Sequence, residues 1–560
     1  MGPYGREMLT RLVLLSALVF GLVVNAGQAR AAEPPPGSVW TEHYFPSEDG
    51  ITMLHADVLR PKGLDEDDKT PVILSASPYF NHAGDPLEYQ PGNSGPSPRF
   101  YDFVDLTNIF ERGYTYVMVD LPGFGGSGGC NDWGGVREQQ AVKAAVEWAA
   151  SQSWSTGAVG MMGKSYDAWT GLMGIAQQPK GLKAVVAMEP VYSGYRYLYN
   201  NGVRFFNSLG TPAIFLVEDA KPGSTRDTPQ YLVNGAPQAW CYGINYSLQQ
   251  QDDPDSPFWA ERDLLRMVEG AKTPLFLTQG FLETNTKPDG AFDFFNLLDG
   301  PNRAWYGQFN HVRGWEQDGK NKYAMGRDSF VGEMMRFFDH HLKGAPRPRD
   351  PVIEVQDALG RYRAEPSWPP PDAKMWWSKL NTGTYTDDGF GGGTVTEGLL
   401  SVSPPLAHDV WLSGEPVVRV ELDAVPRANL VALVYDIDPK GDARLVSRGA
   451  HLIRGAMTQN IKLELYGQDW PFKEGHRIGV QITDADSSWW LHVGTRTDVT
   501  VTKVRVGFPF LTYARTAFIE GGPTLRLKDH MEDTMTVGDG VIRDARIRFT
   551  LPPPLRARAS

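Results

Sequence analysis

The stretch Ala158-Val159-Gly160-Met161-Met162-Gly163-Lys164-Ser165-Tyr166-Asp167-Ala168 decides the fold. Small and apolar residues run into Ser165 as a buried strand would, and Trp169, Leu172, Met173 and Ile175 follow at helical spacing. A serine at such a strand-to-helix corner projects its hydroxyl above the sheet edge, and the first N–H groups of the helix point at whatever it attacks. The general pattern G-x-S-x-G is met at Gly163 and Ser165, but Asp167 stands where its second glycine belongs. A phosphate loop, G-x-x-x-x-G-K-[ST], overlaps the same residues. Its first glycine is replaced by Ala158, and Met161 and Met162 are bulky where that loop needs an open backbone. The nucleophile reading is preferred to the phosphate loop and to an inert buried serine.

Outward from this corner, strands alternate with helices. An antiparallel hairpin runs from His43 to Arg60 and turns at Glu48-Asp49-Gly50, and a buried strand at Pro71 to Ala76 leads into Ser77-Pro78-Tyr79. Next come a helix over 101–112, a strand at Thr115 to Asp120 with the loop Gly123 to Gly129, a helix over 136–151, and a strand at Ala184 to Met188. This order describes an α/β fold with a mainly parallel sheet covered on both faces, whose ligands bind at the carboxyl ends of the strands. Ser165, Tyr79 and the 123–129 loop all follow such ends. From about 191 to 270 the alternation breaks into a Tyr-, Asn-, Trp- and Pro-rich stretch without a buried strand, read as an inserted helical cap. It resumes with Pro274 to Thr278, a helix near 290–298, Arg303 to Gln308, and a helix over about 327–343.

Proline-rich segments at 345–351 and 366–372 mark a boundary. Beyond 372 there is no helix signal, and short alternating runs such as Val417 to Leu422, Leu430 to Tyr435 and Ile478 to Ile482 describe an all-β sandwich. Its aromatics, Trp489 and Trp490 among them, suit core packing better than a sugar site. The expected division is a signal peptide over 1–32, an α/β domain over 33–349 and a β-sandwich domain over 350–560.

The first 32 residues read as an export signal: Arg6 and Arg11, an apolar run from Leu12 to Val24, and a small-x-small site at Ala29-Arg30-Ala31. No later stretch is apolar enough to span a bilayer, so a secreted, extracytoplasmic protein free of the membrane is expected. The net charge is −12, about −14 without the signal, and no basic run is present, which excludes nucleic acid as partner. Cys130 and Cys241 are the only cysteines, and the sequence leaves open whether they pair. It is also silent on oligomeric state.

A serine needs a base to take its proton and an acid to orient that base. In an α/β-hydrolase these follow the nucleophile in the order acid, histidine, on loops after later strands. After Pro274 to Thr278 stands Gly280-Phe281-Leu282-Glu283, and after Arg303 to Gln308 stands Asn310-His311. His311 is the candidate base. Glu283 is favoured as the acid, with Asp289 as the alternative, since it also suits capping of the next helix. One oxyanion donor is the backbone N–H of Tyr166. The loop after the strand at 71–76 has no glycine run to supply a second, and there Tyr79 offers a phenol. The chemistry requires no cofactor and no metal: His340-His341 is adjacent rather than at ligand spacing, and no H-E-x-x-H occurs.

Gly163-x-Ser165-Tyr166-x-Ala168, Pro78-Tyr79, the Gly280 to Glu283 turn, the His311 loop, Phe337-Phe338-Asp339-His340-His341-Leu342-Lys343-Gly344 and the terminal β part together resemble the X-prolyl dipeptidyl peptidase and cocaine esterase (CocE/NonD-like) serine hydrolases. The resemblance covers nearly the whole chain after the signal. It implies Ser165 as nucleophile, Tyr79 as a side-chain oxyanion donor, a jelly-roll terminal domain, and a small-molecule ester, an amide or an X-Pro peptide as substrate. Two departures stand out: the family's G-W-x-D turn is Gly280-Phe281-Leu282-Glu283 here, and its D-x-R-G is Asp120-Leu121-Pro122-Gly123. The reading from another class is a non-catalytic module whose β domain binds carbohydrate or a partner.

Overall fold

The computed structural model describes residues 33–557, apart from 66, 85–92, 212–213, 216–223, 225, 236–238, 319–321, 390–393 and 456. The export signal expected over 1–32 lies outside the described residues, as do Glu218 and Asp219 of the cap, two of the acidic residues there that could hold a substrate's free amino terminus.

Ten strands form one sheet: β1 (Ser38–Pro46), β2 (Met53–Pro61), β3 (Thr70–Ser77), β4 (Thr115–Asp120), β5 (Ser155–Lys164), β6 (Leu182–Met188), β7 (Leu275–Gly280), β8 (Arg303–Gly307), β9 (Ile353–Gln356) and β10 (Tyr362–Glu365). Their spatial order is β1-β2-β4-β3-β5-β6-β7-β8-β9-β10, parallel from β4 to β9 and antiparallel at both edges. The central strands are apolar on both faces because helices cover both. On one face Val72, Leu74 and Ala76 pack with Val159, Met161 and Val185 under α2 (Val136–Ser151) and α3 (Tyr166–Gln177). On the other, Ile73, Tyr116, Met162 and Val186 pack under α1 (Tyr101–Thr107) and α4 (Phe330–Lys343). This is the α/β-hydrolase architecture. Helix α1 is shorter than its apolar pattern suggests, since Asn108 takes the left-handed conformation that ends helices.

Between β6 and β7 the cap carries helices Gly194–Leu198, Pro229–Asn234, Ala239–Leu248 and Pro257–Ala260. Contrary to expectation it also holds short strands, Tyr199–Asn200 and Val203–Phe205. The second pairs with Trp490–Leu491, a partner nearly 300 residues away that no local pattern shows. Trp490 is buried with its ring 6.0 Å from that of Phe205, so it is packing between cap and β domain. A disulfide joins Cys130, ahead of α2, to Cys241 in the cap.

The large sheet runs past the first proline-rich segment. Strands β9 and β10 are short, and buried charged residues alternate with their apolar Ile353, Val355 and Tyr362, which masks a hydrophobic run: Arg303 Nη2 donates to Glu354 Oε1 at 2.9 Å, and Arg363 Nη1 to Asp469 Oδ1 at 2.8 Å. The all-β part starts at Ala373, after the second proline-rich segment. It packs a seven-stranded sheet against a five-stranded one around Val418, Val420, Leu430, Val434, Val480 and Phe508. Two helices not expected beyond 372 lie there, Leu525–Glu532 and Asp539–Asp544. The first is too short to show periodicity, but Thr524 caps it by accepting from the Leu527 N–H at 2.9 Å. No helix among the described residues is long and apolar enough to cross a membrane.

Candidate active site

Strand β5 ends at Lys164 and α3 begins at Tyr166, leaving Ser165 alone at the corner with φ 66° and ψ −123°. That is strained backbone for a residue with a side chain, of the kind a nucleophile elbow imposes. Two contacts hold it. The Ser165 N–H donates to Met188 O at the end of β6, at 2.9 Å. At Gly163, a Cβ would lie 2.4 Å from the Asp167 Cβ, so only glycine lets the helix turn back onto the strand.

Asp167 occupies the missing glycine's place with a purpose of its own. Its buried carboxylate accepts from Ser77 Oγ through Oδ1, and from Arg99 Nε and Nη2 through Oδ2 at 2.9 and 2.7 Å. The Arg99 guanidinium in turn lies 4.3 Å from the centre of the Tyr79 ring. The Tyr79 N–H donates to Ser77 Oγ at 3.1 Å. Asp167, Ser77 and Arg99 thus clamp the loop that carries Tyr79. The rings of Tyr79 and Tyr166 stand edge to face with centroids 6.4 Å apart. The Tyr166 phenol is turned away and donates to Glu138 Oε2 at 2.6 Å, which leaves the backbone N–H as the group Tyr166 can offer an oxyanion. Burial, with Asp132 adjacent, pushes the Glu138 carboxyl up to about 8.

Glu283 follows β7 and His311 follows β8, at the same carboxyl edge of the parallel sheet as Ser165. Glu283 Oε2 lies 2.7 Å from His311 Nδ1, and its Oε1 accepts from the N–H groups of Asn285 and Thr286. Gly280 lets these loops meet, since a Cβ there would fall 2.1 Å from Phe309 O. Asp289 is engaged elsewhere: it accepts from Arg196 Nη1 at 3.1 Å and Asn200 Nδ2 at 2.9 Å, tying the cap to the loop. Of the two candidate acids, Glu283 is the one that meets His311.

Sequence reasoning passed over Glu189, which directly follows β6 and is fully buried with φ 48°. Its carboxyl accepts from Thr278 Oγ1, Gln279 Nε2 and the Gly280 N–H at 3.2, 3.2 and 3.0 Å, and it hydrogen bonds to Glu283. Burial and the neighbouring Glu283 charge push the Glu189 carboxyl well above its ordinary range. For Glu283, burial acts upward but is outweighed by His311 and the hydrogen bonds, which hold the carboxylate well below that range. Its position at the carboxyl end of a buried strand was the available signal. Among the described residues, two groups of three side chains have metal-ligand spacing, and neither includes Ser165, Glu283 or His311.

Residues 49–313 match the family described as X-Pro dipeptidyl-peptidase (S15 family), and residues 348–528 match the X-Pro dipeptidyl-peptidase C-terminal non-catalytic domain. Two similar curated proteins are named "Putative Xaa-Pro dipeptidyl-peptidase". That of Streptomyces avermitilis is 28% identical over 463 residues, covering 72% of this chain and 64% of its own. That of Rhodopirellula baltica is 24% identical over 556 residues, covering 83% and 86%. The chain thus spans just under two thirds of the Streptomyces protein. Among solved structures, a CocE/NonD family hydrolase from Staphylococcus aureus superposes with a TM-score of 0.65 at 16% identity, over 88% of this chain and 100% of that one.

Proposed function

We propose, from the premise that the chain belongs to the X-Pro dipeptidyl-peptidase (S15) and CocE/NonD group of serine hydrolases, that it is exported and cleaves an ester or amide through an acyl-enzyme on Ser165. The observation that carries this reading is the strained corner at Ser165 together with the 2.7 Å contact between His311 Nδ1 and Glu283. A carboxylate on Nδ1 keeps that nitrogen protonated and leaves Nε2 as the base.

Ser165 Oγ attacks the carbonyl carbon as His311 Nε2 takes its proton. The C=O π electrons move to oxygen, where the Tyr166 N–H and the Tyr79 phenol receive the charge. Collapse of the tetrahedral adduct expels the alcohol or amine, which takes the proton from His311. Water then attacks the acyl-enzyme by the same route and releases the acid. Glu283 orients the imidazole and steadies the imidazolium without becoming protonated.

The substrate class is a small ester, an amide or a short peptide. A dipeptidyl peptidase must anchor a free amine, and Asp252 of the cap is already bound to Arg427 and Arg454 of the β domain at 3.2 and 3.1 Å. The Cys130–Cys241 disulfide suits an oxidising compartment and so supports export. The test is hydrolysis of a short-chain p-nitrophenyl ester and an X-Pro-p-nitroanilide side by side, with Ser165→Ala as control. Ester turnover that the variant lacks supports the reading, anilide turnover narrows it to a dipeptidyl peptidase, and silence on both, with no fluorophosphonate labelling of Ser165, rejects it.

A further inference from the structure

The hairpin β1–β2 places like charges face to face. In its register Glu42 stands opposite Asp57 and Tyr44 opposite His55, all on one face of the sheet. Two carboxylates directly across a strand pair repel unless a cation lies between them. His82, three residues after Tyr79, enters the same space from the loop after β3: its Nε2 lies 3.2 and 3.3 Å from the Asp57 oxygens.

Both imidazoles are held from behind. His55 Nδ1 is 2.8 Å from Asp120 Oδ2, and His82 Nδ1 is 2.8 Å from Asp227 Oδ1. For His55, a carboxylate on Nδ1 fixes the proton there and turns the Nε2 lone pair forward, the arrangement that outer carboxylates impose on metal-binding histidines, whereas His82 Nε2 bonds Asp57 and would release its proton to a metal. His55 Nε2 is buried and has no hydrogen-bond partner among the described residues. It faces Asp57 Oδ1 at 3.8 Å and Glu42 Oε2 at 4.0 Å. The other Glu42 oxygen is already satisfied by Tyr44 Oη at 2.6 Å and Thr228 Oγ1 at 3.0 Å. Four carboxylates surround two imidazoles in a site that is almost wholly buried.

We propose that Glu42, His55, Asp57 and His82 bind a divalent transition-metal cation of the zinc class. Two nitrogen and two carboxylate ligands suit such an ion. Metal bonds of about 2.0–2.1 Å in a tetrahedron place ligand atoms about 3.3–3.4 Å apart, close to the His82–Asp57 spacing and within a small side-chain adjustment of the His55 distances. Asp57 Oδ1 also accepts from Trp40 Nε1 at 2.7 Å, so the feature that marks this cluster is the His55 nitrogen. In the second group with ligand spacing, Asp387, Asp484 and His492, the ring nitrogen His492 Nε2 is already bonded to Asp387, which also accepts from the Thr495 N–H and hydroxyl and the Asn429 N–H.

The ion would act as a structural staple. Its ligands join the hairpin to the loop bearing Tyr79, and Asp227 behind His82 belongs to the cap. Tyr231, also of the cap, stacks on the His82 ring with centroids 4.3 Å apart, and its hydroxyl accepts the His82 backbone N–H at 3.0 Å.

The test uses the full chain, stripped of metal with a chelator and titrated with Zn²⁺ against a chromophoric competitor, with bound metal counted by mass spectrometry. One zinc per chain is expected. Glu42→Gln, an isosteric change at a partly exposed residue, and His55→Gln should each weaken binding by about 10- to 100-fold. Asp387→Asn should leave it unchanged. Zinc should raise the Tm of the wild type more than that of Glu42→Gln. Far-UV circular dichroism confirms that each variant is folded. Substoichiometric zinc in the folded wild type, or one zinc whose affinity neither Glu42→Gln nor His55→Gln alters, overturns the proposal and leaves the cluster a protonated hydrogen-bond network.

Discussion

Glu189 and Glu283 meet behind His311 and are pushed in opposite directions: burial and the Glu283 charge raise the Glu189 carboxyl, while His311 and the hydrogen bonds to Glu283 hold its carboxylate low. The pair keeps Glu283 ionised against His311 inside a fully buried site.

Replacing Glu189 with Gln should preserve this arrangement without an ionisable proton, since an amide N–H can donate to Glu283 as the carboxyl does. A raised carboxyl binds a proton in the folded chain that the unfolded chain has released, so its contribution to stability falls as pH rises above the ordinary value of 4.5. Glu283 acts oppositely: depressed in the folded chain, it supports stability above 4.5 and loses that support as pH falls below it. Measured between pH 5 and pH 9, Tm should therefore decline less steeply in Glu189→Gln than in the wild type, with kcat at pH 7 close to wild type. Parallel Tm profiles would place the proton elsewhere.

Ser165 combines φ 66° with ψ −123°, a conformation that a side chain disfavours and glycine accepts. Ser165→Ala should abolish ester turnover while keeping the strain, whereas Ser165→Gly should abolish turnover and relieve it. The glycine variant is expected to be the more stable of the two by about 1–3 kcal/mol in urea denaturation. Equal stabilities would mean that the corner relaxes in solution.

How far the site can be read without coordinates depends on how local each residue's signal is. The change of period at Ser165 is local, and so are the strand ends before Glu283 and His311, which made those three residues visible. The choice between Glu283 and Asp289 was not, because it turns on Arg196 and Asn200 of the cap claiming Asp289. Arg99 carries no motif, and its place over Tyr79 is set by its ion pair with Asp167, 68 residues away. Strands β9 and β10 were hidden by buried charges whose partners, Arg303 and Asp469, come from distant segments. Glu42, His55, Asp57 and His82 come from three segments and match no ligand spacing along the chain.

Tyr79→Phe separates the phenol from the ring. The ring keeps its contact with the Arg99 guanidinium, so the loop should hold its position. If the hydroxyl donates to the oxyanion, kcat for a p-nitrophenyl ester should fall by about 10²–10³-fold with KM little changed. A rise in KM at constant kcat would instead assign the hydroxyl to ground-state binding.

The disulfide offers the last prediction. Cys130 and Cys241 are 111 residues apart, and the loop they close contains the elbow, α3 and much of the cap. Closing a loop of that length restricts the unfolded chain by an amount that chain-entropy arguments put at about 4–5 kcal/mol. The native contacts of Ser165, Glu283 and His311 do not involve either cysteine, so the double variant Cys130→Ser/Cys241→Ser should retain its kcat at 25 °C. Its Tm should be several degrees lower, and reductant should lower the wild-type Tm in the same way while leaving the variant unaffected. A variant that matches the oxidised wild type in Tm would show that the cap is held by its packing against α2 and the β domain alone.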